Sequence, residues 1–168
     1  MAYSYKLIEA KTLASAVSSI TFSSIPQTYT DLLLKTCARG STTGGDPWSD
    51  AQLSFNGNTS NQTERWLGGF GSAAASGTGS QMILRVNKDS STSNTFDNSE
   101  FYIPNYTSAN YKSVSLDNAV ENNATAALLM FNAQLWSNTA AITSLTLALG
   151  AGNFMVNSTF YLYGISNS

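Results

Sequence analysis

The sequence predicts an all-β fold: a single-domain antiparallel β-sandwich, jelly-roll-like, spanning residues 1–168. Three observations lead there. Apolar residues recur at every second position in short runs, clusters of Gly, Pro, Asn and Asp separate those runs, and no segment carries a sustained 3.6-residue apolar stripe with helix caps. A chain of 168 residues is also the size of one compact domain with its own core.

Along the chain, alternation marks Ile20 and Phe22, then Leu32 and Leu34, Leu53 and Phe55, and Met82, Leu84 and Val86. It continues at Phe101 to Ile103, at Val114 and Leu116, and at Phe160 and Leu162, and is cleanest where Leu145, Leu147 and Leu149 interleave with Ser144, Thr146 and Ala148. Ala126 to Leu135 is apolar on both faces in its first half and reads as a central strand covered on both sides. Tyr161 and Tyr163 alternate with Phe160 and Leu162, so the last strand also reads as an inner or oligomer-buried one. Tyr3 to Ile8 fits an edge strand that adds to a neighbour's sheet. Asn56-Gly57 after Leu53/Phe55 predicts a hairpin, since both residues tolerate the positive φ of a type I′ turn. Gly68 to Ser80 and Asp89 to Asn98 are too polar and Gly/Ser-rich for core and read as loops; the first is a candidate contact surface.

Charge is scarce. Eight Lys and Arg stand against ten Asp and Glu, only 11% of residues are charged, and Ser, Thr and Asn carry the polarity. Without clustered cations, neither nucleic acid nor an anionic membrane is an expected partner. The absence of His removes the commonest general base, the His-dependent nucleophile arrangements and every His metal site. Cys37 is the only cysteine, so no intrachain disulfide forms, and beside Leu32 to Leu34 it reads as a small core filler. Lys6, Glu9 and Lys11 interrupt what would have to be a signal-peptide core, and the longest wholly apolar run, Ala126 to Phe131, is far too short to span a bilayer. A soluble protein made in a cytosol is expected.

Candidate chemistry is correspondingly thin. Asp46 and Asp50 flank Trp48 in a Gly/Pro-containing stretch, but the Asp-x-Asp-x-Asp-Gly spacing of a calcium loop is missing, so a solvated turn is expected and no metal or cofactor. Asp97, Glu100 and Glu64 would form a glycosidase pair only if folding brought two of them roughly 5–9.5 Å apart. No catalytic residue is expected. Exposed Trp in a loop can stack on sugar rings, which makes Trp48, with Asp46 and Asp50, the candidate glycan contact. Trp66 and Trp136 read as core or subunit-interface anchors; with Trp48, Tyr161 and Tyr163 they complete the candidate interface set.

Several segments together resemble a family of small tailed-phage virion proteins. They are Ser19 to Leu32, Phe55-Asn56-Gly57-Asn58, Phe101 to Tyr106, Glu121 to Ala127, Leu135 to Thr143 and the ending Tyr161-Leu162-Tyr163-Gly164-Ile165. The resemblance implies a structural role, as a capsid cement or decoration protein or as a tail or fibre module, rather than catalysis. It departs at Asn58 and Ser54, where the family often has Asp and Arg. The resemblance further implies a protein on the capsid surface, made in the bacterial host cytoplasm. Its partners would be the major capsid protein and further copies of itself, three around a local three-fold axis, with a host-surface glycan as the alternative ligand.

Overall fold

The computed structural model describes residues 4–123 and 127–166. In chain order the strands are β1 (Ser4–Thr12), β2 (Ser19–Phe22), β3 (Asp31–Cys37), β4 (Arg39–Gly40), β5 (Trp48–Phe55), β6 (Gln62–Phe70) and β7 (Ala73–Gly79). They continue with β8 (Met82–Lys88), β9 (Asn98–Ile103), β10 (Lys112–Val120), β11 (Leu128–Trp136), β12 (Leu145–Leu149) and β13 (Thr159–Ser166). Two sheets face each other. One has eight strands, ordered β1-β13-β3-β9-β10-β11-β6-β7, and the other five, ordered β2-β12-β5-β8-β4. Among the described residues every strand pairing is antiparallel except β4 with β8. The chain crosses between sheets at most connections, as expected of a sandwich wound like a jelly roll.

The alternating runs supply the core as their period requires. Phe22, Leu34, Leu53, Phe55, Leu84, Phe101, Leu147, Phe160 and Leu162 are all buried between the sheets, with Trp136 against Phe55 at 5.6 Å between ring centroids. Gly164, on the inward face of β13, has the Tyr29 ring lying where a Cβ would stand. At that close approach a side chain has no room.

Five local expectations change. Cys37 is exposed: from Lys35 onward β3 alternates strictly, so Cys37 shares the outward parity of Lys35 while Thr36 turns in. Asn56-Gly57 does form a turn with φ of 53° and 69°, closed by Asn58 N–H to Phe55 O at 2.9 Å, but it opens a crossover to the other sheet instead of a hairpin. The side chain of Asn56 fastens that crossover: its oxygen accepts from the Thr143 and Ser144 amides, and its amide donates to Ala141 O. Gly68 to Ser80 is no loop; it holds the end of β6 and all of β7, joined by a tight turn at Gly71. Ser4 to Ile8 lies in β1 and pairs with β13 of the same chain, and Tyr3 falls outside the described residues. Finally, β11 is central by position yet bare on one side, with Leu129 and Phe131 exposed, because among the described residues no segment packs over that part of the outer face of the eight-stranded sheet. Ala126, where that run begins, lies outside the described residues.

The stretch from Asp89 to Asp97 is a loop, with Asn98 already in β9, and a buried cation organises it. The Arg39 guanidinium donates to the carbonyls of Asp89, Ser91, Thr92 and Thr95, so four backbone groups that would otherwise need water are satisfied by one side chain.

Candidate functional site

Glu64 and Asp97 are buried carboxylates, the kind of group that acid–base chemistry would recruit. Glu64 points inward from β6 and accepts from the Ile83 amide at 2.9 Å, while Gln134 donates to Ile83 O at 3.0 Å. Two residues further along β8, Asn118 grips Arg85 from both sides, accepting from its N–H at 3.1 Å and donating to its C=O at 2.8 Å. Gln62 accepts from Met82 N–H at 3.3 Å. Together these side chains occupy the line where β8 would meet another strand, since β4 covers only Asn87 and Lys88 of that edge. Burial pushes the Glu64 carboxyl above its ordinary range, and the Ile83 amide pulls it back.

Asp97 is fully buried and accepts from Thr36 and Ser99 hydroxyls and from the Ala38 amide, fixing the entry to β9. Burial raises it to about 6 against those bonds. Glu100 turns to the outer face and pairs with Lys35 at 2.8 Å. Glu64 lies three strands from β9, roughly 14 Å at the usual strand spacing, and on the opposite face from Glu100. The three carboxylates are thus held apart, each in a structural bond.

At one end of the sandwich Asp46, Trp48 and Asp50 do come together, lining a shallow cavity of about 280 Å³ with Thr42, Ser49, Gly150 and Ala151. Trp48 opens β5 instead of sitting in a loop, and Asp50 lies on the same strand. The indole is half-buried against Phe70 at 5.6 Å, and Trp66 also meets Phe70, edge to face at 5.7 Å. These rings cover a satellite cluster of Val120, Leu128 and Met130. Arg85 spans the cluster, with its guanidinium 5.9 Å from the Trp66 ring, a donor bond to Met130 Sδ and an ion-pair contact to Asp50 at 3.5 Å. Partial burial pushes the Asp50 carboxyl up; Arg85 opposes it and Asp46 adds to it. Trp66 is therefore half-buried packing on the inner face, and Trp136 is 1% exposed and wholly core.

Tyr161 and Tyr163 stand elsewhere, on the outer face of the eight-stranded sheet. The register lines up Leu7, Tyr163, Leu33 and Tyr102 across β1, β13, β3 and β9. One pleat along, Tyr161, the Lys35–Glu100 pair, Asp117, Phe131 and Leu67 follow one another from β13 to β6. Leu67, Phe131 and Leu129 are 59%, 55% and 52% exposed, and Leu67 and Phe131 are direct cross-strand partners. Tyr5 and Leu7 form a second exposed apolar group at the far edge, separated from the first by the Lys35–Glu100 pair and Asp117. Exposed large apolar side chains grouped on adjacent strands, as Leu67, Leu129 and Phe131 are, mark a contact surface. Sequence reasoning placed two tyrosines of this face and missed Leu67, Leu129 and Phe131. The signal was the two-faced apolar run at the start of β11, which also fits a sheet covered on one side.

No protein-family profile, curated protein or solved structure matches this chain.

Proposed function

We propose that this protein is a structural component of a tailed-phage virion, a cement or decoration protein that lays the outer face of its eight-stranded sheet across junctions of the major capsid protein. The observation that carries the reading is that face, where Leu67, Leu129 and Phe131 stand exposed on adjacent strands, with Tyr102, Tyr161 and Tyr163 farther along the same face. The sequence segments that resemble small virion proteins support it independently, and the proposal assigns no catalytic, cofactor or metal role to any residue. Three half-exposed large apolar side chains contribute on the order of 1 kcal/mol each when covered, so a single contact is modest and a lattice of them is not. Low charge suits such repeated lateral packing, because few like charges are brought together.

Counting copies in purified particles tests the reading. A stoichiometry comparable with that of the major capsid protein is expected; a few copies per particle overturns shell cement. The second reading is a tail or fibre module that binds a host-surface glycan, and it rests on the cavity that brings Trp48 together with Asp46 and Asp50. Glycan binding abolished by Trp48→Ala, in a protein present at a few copies per particle, would favour it.

A further inference from the structure

A two-sheet sandwich has four sheet edges, and unpaired edges template association unless something blocks them. Three are blocked here. The β1 edge carries Lys6, Glu9 and Lys11 and a bulge between Leu7 and Glu9. The β2 edge is only four residues long. The opposite edge of that sheet ends in the two-residue β4, and beyond it β8 is capped by Gln62, Glu64, Asn118 and Gln134. The fourth edge, β7, has seven residues in unbroken register with β6, and no charge, proline or bulge. Every second residue along it turns its backbone N–H and C=O to the open side.

We infer that β7 pairs antiparallel with β7 of a second copy of this chain, across a two-fold axis through Ser76, joining the two eight-stranded sheets edge to edge. Self-pairing is what the strand's chemistry suits. With Ser76 at the centre, Ala74 faces Thr78 of the second copy and Ala73 faces Gly79, so every opposed side chain is small and uncharged. The nearest exposed cation, Arg65, sits beside Thr78 on β6. The two-fold sends its counterpart to the other end of the seam, roughly 19 Å away by strand spacing and rise and beyond the screening length. Leu67 lies beside Ser76 on the outer face, so pairing carries the Phe131–Leu67 strip across the seam into its symmetry mate. The geometry favours two copies over three: a ring needs two different mating surfaces, and a self-complementary edge closes on itself. The pairing goes beyond the shell-docking reading and does not depend on it.

Sedimentation velocity on the purified full chain, from roughly 1 to 100 μM, tests this directly. A concentration-dependent two-chain species is expected. Ser76→Lys, which sets two ammonium groups at the axis, should return it to one chain with an unchanged far-ultraviolet circular dichroism spectrum, while Ser76→Thr should leave it paired. Hydrogen exchange on the unmutated protein should show β7 amides slowing as concentration rises. A single chain throughout, a three-chain species, a dimer indifferent to Ser76→Lys, or β7 amides protected only when a different protein is bound would each overturn the inference.

Discussion

A fully buried Asp97 that gathers three donors carries a definite pH dependence. Its carboxyl, at about 6 in the folded chain, holds a proton more tightly than an unfolded aspartate at 3.8. Its stabilising contribution is therefore complete below about 3.8 and is lost as the pH rises through about 6, a change of about 3 kcal/mol. Glu64 and Asp50, also pushed upward by burial, act with the same sign. Asp97→Asn should flatten most of the decline in urea midpoint between pH 4 and 7, and a decline that persists unchanged would place its origin elsewhere. A second residue-scale expectation concerns Gly164, whose added Cβ would enter the Tyr29 ring. Gly164→Ala should cost roughly 1–3 kcal/mol, read as a lower thermal midpoint. Neither role was legible in the sequence, because Asp97 takes two of its three donors from Thr36 and Ala38, and Gly164 meets Tyr29, all distant in the chain. Cys37 failed for a simpler reason: adjacent leucines suggested burial, but strand parity decided it.

Individual strands were legible wherever packing alone chose the residues. Leu145, Leu147 and Leu149, or Met82, Leu84 and Val86, alternate because one side of each strand touches only apolar core. Alternation vanished in β6, whose inward positions include Gln62 and Glu64, and those polar groups face in because the edge of β8 away from β5 has no strand beside Met82 to Arg85. β7 was missed since Ala, Ser and Gly have weak strand propensity and bury nothing there. The surrogate-strand role of these side chains has a measurable consequence. Asn118→Ala orphans both backbone groups of Arg85 and should cost roughly 1–3 kcal/mol, with faster hydrogen exchange at the Arg85 amide than at Leu84. Gln134→Ala should do less, because Glu64 still accepts from Ile83. Equal and small losses from both variants would mean that water replaces the caps.

The whole molecule is asymmetric: its five-stranded sheet and the rings around Phe70 close the core, while the eight-stranded sheet presents Tyr5, Tyr102, Phe131 and Leu67 to the outside. On the proposed shell-docking reading, that division would give the contact to one face and leave Trp48 to packing and to a shallow cavity. The tryptophans drew attention in the sequence because large rings anchor interfaces, yet Trp136 and Trp66 were needed inside, and the exposed face relies on Leu and Tyr. Phe131→Glu should therefore lower the number of copies on purified particles severalfold with little change in thermal midpoint, since the side chain is already 55% exposed. The most direct measurement is hydroxyl-radical footprinting of the protein free and bound to particles. Docking through the outer face requires that oxidation of Leu67, Phe131, Tyr163 and Tyr5 fall on binding while that of Trp48 stays constant. Protection of Trp48 with Phe131 and Tyr163 left fully reactive would contradict it.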